Sequence, residues 1–256
     1  MEYGLSISQL LVSHSKAIEK AQDICLRVTF HGKATASTQV YKHMAALPHM
    51  HERIAIVSVI DWLDSSPYNQ IKEVISRLRQ HNLIMTLTQP APPVLLSACR
   101  PHLRVDPIFL LPMDNWLRSR LCRWRMGWLP ARPSPCRCGH PHASQNHLLS
   151  YLSIADRLKV PLDAKPKPLD YVLNQLLAIK RPPSSAAQHN RVYFRWASWW
   201  SQICSIMLEI DSIYQPDEEF SLAASDTQGM ALLEWLLPIY FKPVAPAIRS
   251  TLYDYL

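Results

Sequence analysis

The stretch Trp116–Tyr151, WLRSRLCRWRMGWLPARPSPCRCGHPHASQNHLLSY, carries the densest chemistry of this 256-residue chain. Its first part is rich in arginine and tryptophan and predicts a helix over residues 113–126. Prolines then interrupt the pattern and predict a loop over residues 127–146, which contains Cys136-Arg137-Cys138-Gly139 and several histidines. An apolar segment over residues 147–158 predicts the next helix. The stretch therefore predicts two helices joined by a small Cys/His loop.

Helical periodicity continues on both sides of this stretch. Further helices are predicted over residues 6–30, 38–47, 50–64, the segment after Ser65-Ser66-Pro67, 169–180, 189–214 and 226–241. Six prolines interrupt any long element between residues 85 and 112. We therefore expect a mostly α chain, an irregular helical array with a Pro-rich connection and a small Cys/His knuckle. Its expected parts are a helical region at 1–84, a Pro-rich linker at 85–112, the basic helix and knuckle at 113–158, and a helical region at 159–256.

The composition favours a polyanionic partner. The formal net charge is +7 and the isoelectric point is about 9.2. A basic balance of this size favours nucleic acid ahead of a membrane surface. No apolar run reaches the ~18 residues that a membrane-spanning helix needs, so no membrane partner is expected.

The cysteines are expected to be reduced. No basic start followed by an apolar segment indicates secretion, so we expect an intracellular protein of the nucleus or the cytoplasm. In that environment a close cysteine pair indicates metal binding rather than a disulfide. One residue between Cys136 and Cys138 also makes a disulfide between them strained.

Several common catalytic motifs do not occur in the sequence. The five glycines are too far apart for a phosphate-binding loop, and neither G-x-S-x-G nor H-E-x-x-H occurs. No Asp-Asp pair occurs, so the metal-binding dyad of a polymerase palm is missing from this chain. We therefore expect no enzymatic activity.

The Cys/His loop is a candidate zinc site. Zinc prefers four tetrahedral ligands, usually thiolates and imidazoles. Cys136 and Cys138 flank one arginine, and His147 follows nine residues after Cys138. His140 and His142 lie between them. The C-x-C spacing is less diagnostic than the C-x₂₋₄-C of common zinc sites, so a Cys/His loop without metal stays open as the alternative.

The basic residues of the same stretch are candidates for nucleic-acid binding. Residues 113–138 contain six arginines and one acidic residue, Asp114, so their formal charge is +5. Arginines pair with phosphates, and tryptophans such as Trp124 stack on exposed bases. A solvated helix face with its tryptophans in the core is the competing interpretation. The candidate residues are Arg118, Arg120, Arg123, Trp124, Arg125, Arg132 and Arg137.

The order of several motifs resembles the C-terminal, post-polymerase region of non-LTR retrotransposon reverse transcriptases, of the kind found in fungi. The motifs are Glu2-Tyr3-Gly4-Leu5, Lys20-Ala21-Gln22-Asp23-Ile24-Cys25-Leu26-Arg27, the turn Thr35-Ala36-Ser37-Thr38, Leu47-Pro48-His49-Met50-His51-Glu52-Arg53, Arg123-Trp124-Arg125-Met126-Gly127-Trp128-Leu129-Pro130, and Cys136-Arg137-Cys138-Gly139 with His147-Leu148-Leu149. The resemblance covers most of the chain, and the last eighty or so residues match loosely. It implies that residues 1–84 correspond to the connection after the thumb.

The resemblance also implies a terminal zinc knuckle with one departure. The family knuckle ends in H-L-L-x-C, and Tyr151 stands here in place of the last cysteine. Cys136, Cys138 and His147 carry over as ligands, with His142 or His140 as the candidate fourth. The family's catalytic aspartates are absent, so polymerase activity does not carry over and the chain resembles a fragment or a decayed copy. RNA or DNA, and the rest of a reverse transcriptase, are the expected partners. A helical structural or protein-interaction module without nucleic-acid binding is the alternative function.

Overall fold

The structure, a computed structural model, describes residues 12–29, 36–50, 52–53, 68–129, 134–177, 185–214 and 230–237. These residues form α-helices and two short 3-10 helices, with no β-strand among them. The prediction of a mostly α fold is thereby confirmed. The helix predicted over residues 50–64 lies mainly outside the described residues. Within the described ranges, no helix is both long and apolar enough to cross a bilayer.

The chain divides into two compact units, Met1–Asp106 and Pro107–Leu256. The division falls inside the connection that the sequence predicts as a Pro-rich linker over residues 85–112. That connection is packed rather than free, because Leu96 is buried in the first unit and Ile108 in the second. Prolines end helices there, but burial of the apolar side chains between them still stabilises the fold.

The first unit is built around a short buried helix. Its helices are α1 (Val12–Thr29), α2 (Gln39–Met44), α3 (Tyr68–Leu87) and α4 (Val94–Ser97). Val40 and Met44 of α2 are buried one helical turn apart, and α2 packs against α4. His43 adds a hydrogen bond between its Nε2 and the carbonyl oxygen of Arg100, at 2.7 Å.

A partly buried ion-pair cluster joins α1 to α2. The Lys42 side chain, 4 % exposed, contacts the carboxylates of Glu19 and Asp23. Glu19 also accepts from the Met50 N–H and lies 2.9 Å from His49 Nδ1. Burial opposes ionisation of Glu19, but the contacts with Lys42, His49 and Met50 outweigh it and lower the pKa of Glu19 from 4.5 to about 2.

The Glu19 contacts predict acid sensitivity of the first unit. A carboxyl with a lowered folded pKa stabilises the folded state above its unfolded pKa, and this stabilisation is lost as the pH falls through the folded pKa. We therefore expect Glu19→Gln to destabilise the unit at neutral pH and to match the wild type near pH 2, as measured by urea unfolding between these limits. Glu73→Gln is the control, because its pair with Arg77 is largely exposed. If the difference in unfolding free energy between the wild type and Glu19→Gln did not change with pH, the prediction would be contradicted.

The second unit packs short helices against one long helix. Its helices are α5 (Asn115–Arg125), α6 (Gln145–Tyr151), α7 (Ile154–Arg157), α8 (Pro168–Asn174), α9 (Ala186–Tyr214) and α10 (Met230–Leu236), with 3-10 helices at Pro107–Phe109 and Leu162–Ala164. Helix α9 contacts both α5 and α10. Its buried side chains recur every three or four residues, which places them on one face. They include Trp196, Trp200, Ile203, Met207 and Ile210.

Helix α5 coincides with the basic helix predicted over residues 113–126. It begins after Asp114, whose carboxylate accepts a hydrogen bond from Leu117 N at 2.8 Å. It ends before Gly127, which takes the left-handed φ of 64° that glycine allows. Leu117, Leu121 and Trp124 are fully buried on one face. Each buried side chain of this size contributes about 1.5–3 kcal/mol, so α5 is a core element of the unit.

Candidate metal centre

The backbone of residues 136–140 forms a tight turn that carries both cysteines of the loop. Cys136 N donates to the carbonyl oxygen of His140 at 2.9 Å, and Gly139 N donates to that of Cys136 at 3.0 Å. Gly139 has a φ of +89°, a conformation that L side chains rarely adopt. Gly139 therefore permits the bend of the chain between the thiols and the histidines.

The third donor is positioned by the start of α6. The Ser144 hydroxyl caps the helix by accepting from His147 N at 3.3 Å, which places His147 in the first turn. Cys138 Sγ and His147 Nε2 are 3.4 Å apart. Ligand bonds of about 2.3 Å to sulfur and about 2.0–2.1 Å to nitrogen place two tetrahedral zinc ligands roughly 3.6 Å apart. This pair therefore has the separation that a shared zinc ion requires.

The donor atoms of Cys136, Cys138 and His147 all lie within 4.8 Å of one another. This group could hold a metal ion, and two thiols with one imidazole are a donor set that suits zinc. Cys136 is buried and Cys138 is exposed, so the group lies at the surface of the unit. Among the described residues, no other cluster of three or more His, Cys, Asp or Glu side chains meets this geometry.

Two aromatic rings hold the imidazole of His147. The His140 ring is stacked on it at 4.2 Å between centroids, and the Tyr151 ring lies nearly parallel to it at 5.6 Å. Loss of hydration lowers the pKa of His147, and His140 adds to this effect. A lowered pKa favours the neutral imidazole, which is the form that binds a metal. The two neighbouring rings therefore orient His147, and desolvation together with His140 favours its ligand form.

The residues predicted as a fourth ligand lie outside the group. His142 Nδ1 accepts from Ser134 N at 3.4 Å, and His142 is not among the converging donors. His140 Nδ1 lies 2.7 Å from the carbonyl oxygen of His142, which orients the His140 ring for stacking. Tyr151, in place of the expected cysteine, stacks on His147. The structure thus brings together three of the four predicted ligands, and His142 takes a role in the loop itself.

The knuckle, defined here as residues 134–147, is anchored to α5 and α9. Arg137 donates to the carbonyl oxygen of Ser212 at 3.0 Å, and the Tyr214 hydroxyl donates to that of Ala143. Gln145 donates to the carbonyl oxygen of Trp124 at 3.2 Å. Burial raises the pKa of Tyr214, and Cys136 nearby adds to the shift, so the phenol stays a proton donor. These anchors hold the turn that carries the thiols against the helical core.

Two of the α5 arginines that the sequence predicts to bind nucleic acid pair with groups of the protein. Arg118 donates to three backbone carbonyls of the preceding connection, those of Ile108, Leu111 and Met113. Arg120 Nε lies 2.8 and 2.7 Å from the two carboxylate oxygens of Asp211 on α9. These contacts join α5 to the preceding connection and to α9.

Trp124 and Arg125 are the clearest correction to the predicted interface. Trp124 is fully buried and Arg125 is 1 % exposed, so neither has surface to offer a base or a phosphate. Arg125 instead pairs with Asp170 at 3.3 Å and donates to Asn174 Oδ1 at 2.9 Å. Apolar burial and a specific carboxylate partner outweigh solvation of this helix face.

The remaining predicted contacts differ in exposure. Arg123 is half-buried, and desolvation together with Arg120 lowers its pKa while Asp211 opposes the shift. Arg132 lies outside the described residues. Arg137 is exposed on the knuckle, although one of its nitrogens is used in the bond to Ser212. Arg137 is thus the most accessible of the predicted nucleic-acid contacts that the structure describes.

A second basic and aromatic surface lies on α9 and was not predicted from the sequence. Arg191 and Arg195 are exposed one helical turn apart, and Phe194 beside them is 65 % exposed. The Arg195 guanidinium lies 6.0 Å from the centre of the Trp199 ring. The spacing of Arg191, Phe194 and Arg195 within R-V-Y-F-R-W is the signal that could have identified this surface.

Comparisons with protein-family models, with curated proteins and with solved structures find no match. The resemblance to a reverse transcriptase therefore stays a prediction from the motifs quoted above. The candidate function is inferred from the metal-ligand geometry and from the exposed charges of the second unit.

Proposed function

We propose that this chain is a non-catalytic helical module of the reverse-transcriptase C-terminal type, organised by zinc and binding single-stranded nucleic acid. The observation that supports it best is the convergence of Cys136, Cys138 and His147, the donors that the resemblance implies. Zinc bound there would tie the knuckle turn to the start of α6, since the cysteines and the histidine lie on these two segments.

The proposed contact with nucleic acid uses the exposed arginines rather than those of α5. Arg137 projects from the knuckle, and Arg191 and Arg195 from the first half of α9. Guanidinium groups pair with phosphates, and an exposed ring such as Phe194 can stack on a base. The net charge of +7 supports a polyanionic partner.

We expect Arg195→Glu to weaken the binding of a single-stranded oligonucleotide and to reduce its salt dependence. Loss of one phosphate contact lowers the slope of log K against log salt by about 0.7 for a single strand, and reversal of the charge adds repulsion. The measurement is fluorescence anisotropy over a salt series. Arg191→Glu and Arg137→Glu are expected to act in the same direction.

The control is Arg77→Glu on α3, which changes the net charge by the same amount at a highly exposed position. If Arg195→Glu and Arg77→Glu lowered the affinity for the oligonucleotide equally, the effect would be one of net charge, and binding at the α9 surface would be contradicted. No binding by the wild type at low salt would contradict nucleic-acid binding altogether. Arg125→Glu is unsuitable, because it would place a carboxylate in the core beside Asp170.

A second candidate function is a helical structural or interaction module without nucleic-acid binding. One observation favours it: Arg118, Arg120 and Arg125 are engaged inside the protein. Under this interpretation the arginines of α5 serve only to hold the fold together. The oligonucleotide titration is then expected to show no binding at any salt concentration.

A further inference from the structure

The knuckle supplies three metal donors where a closed zinc site has four. Structural zinc sites take four protein ligands, whereas sites with three protein ligands keep a position for water or another ligand. The neighbours of His147 determine which group could occupy the fourth coordination position, here called the fourth corner. The candidates nearest in sequence are His140, His142 and Tyr151.

Ring geometry argues against His140 as the fourth ligand. The lone pair of an imidazole nitrogen lies in the plane of its ring. The His140 and His147 rings are stacked 4.2 Å apart with an angle of 18° between their planes. An ion in the plane of His147 therefore lies well outside the plane of His140. His140 orients His147 and is not placed to share its ion.

Tyr151 and His142 are also engaged elsewhere. The Tyr151 ring is nearly parallel to that of His147, at 15°, and it lies one helical turn further along α6. Nδ1 of His142 accepts from Ser134 N, and His142 does not belong to the converging group. Cys138 is exposed while Cys136 is 5 % exposed, so solvent reaches the group from the side of Cys138.

We propose that an ion held by Cys136, Cys138 and His147 keeps one exchangeable coordination position, occupied by water and open to a small borderline donor such as imidazole. The inference rests on the proposed metal site and goes beyond it, because a closed knuckle would have no such position. Tyr151 leaves this corner without a protein donor, because its ring is stacked on His147 at the position where the resemblance implies a fourth thiolate.

The test uses Co²⁺ bound to the full chain, with imidazole as the added ligand. We expect imidazole to shift the visible ligand-field bands of the wild-type complex with a saturable, one-site dependence. Tyr151→Cys should close the site, raise the sulfur-to-cobalt absorption by about half as a third thiolate joins two, and remove the response to imidazole. It should also lower the Kd for Zn²⁺, because a fourth protein ligand would replace water and complete a closed site.

Tyr151→Phe is the matched control, because it retains the ring on His147 and lacks the hydroxyl. It should respond to imidazole as the wild type does. A wild-type Co²⁺ complex that is indifferent to imidazole would overturn the open position while leaving the metal site intact. A chain that binds neither Co²⁺ nor Zn²⁺ at one equivalent would overturn the metal site itself. If Tyr151→Cys does not fold, the wild type and Tyr151→Phe still decide the question.

Discussion

Replacing Asp211 by alanine is expected to lower the free energy of unfolding of the second unit by about 3–5 kcal/mol. Asp211 is 2 % exposed and accepts both from Arg120 and from Trp116 Nε1 at 3.0 Å. Burial raises the pKa of Asp211, and the contacts with Arg120 and Trp116 oppose that shift. Without the carboxylate, the partly buried cations of Arg120 and Arg123 face each other uncompensated. Removing one partner of a buried ion pair is costly for this reason.

The measurement is thermal or urea unfolding of the full chain, followed by tryptophan fluorescence. For a unit of this size, the loss corresponds to a fall in melting temperature of roughly 6–20 °C. Asp211→Asn keeps the size of the side chain and removes the charge, so a large loss in this variant separates the ion pair from a cavity effect. Glu209→Gln is the control on the same helix, because its pair with Arg157 is more exposed and contributes about 1 kcal/mol or less. If Asp211→Ala lowered the free energy of unfolding no more than this control, the role of the buried pair would be refuted.

Saturating zinc is expected to stabilise the second unit, and Cys136→Ser is expected to abolish that effect. An ion that binds the folded state alone adds about 4 kcal/mol when its concentration is 1,000 times its Kd. The three donors come from the turn and from α6, so binding also restrains the exposed thiol of Cys138. We therefore expect zinc to slow the alkylation of Cys138 and a chelator to restore it. Unfolding with and without zinc, together with mass spectrometry of the labelled cysteines, measures both effects.

Cys25 serves as the control for both measurements. It is an exposed free cysteine on α1, in the other unit. Its alkylation should be independent of zinc, and Cys25→Ser should retain the stabilisation by zinc. Equal zinc stabilisation of the wild type and Cys136→Ser would show that the ion binds somewhere other than the knuckle. Unchanged alkylation of Cys138 would contradict its role as a ligand.

The metal donors could be predicted from the sequence because they are local. Cys136, Cys138 and His147 lie within twelve consecutive residues, and one turn with one helix cap brings them together. The role of Tyr151 could not be predicted in the same way. The resemblance implies a cysteine at position 151, whereas the structure shows that the Tyr151 ring stacks on His147.

The roles of the arginines could not be predicted, because their partners are distant in sequence. Arg125 meets Asn174 across 49 residues, and Arg120 meets Asp211 across 91. A run of arginines on a helix has the same local pattern whether it faces solvent or acids buried on another helix. The distinction depends on which carboxylates the fold brings opposite the helix.

By itself, the sequence determined the helical class, the position of α5 and the composition of the metal-donor group. Periodicity, proline breaks, the Asp114 cap and close Cys/His spacing act over a few residues, so the chain specifies them locally. Tertiary structure alone decided that Trp124 and Arg125 belong to the core and that Arg137, Arg191 and Arg195 are left at the surface. The physical reason is that desolvation and charge pairing depend on what packs against a residue, and those neighbours come from distant parts of the chain.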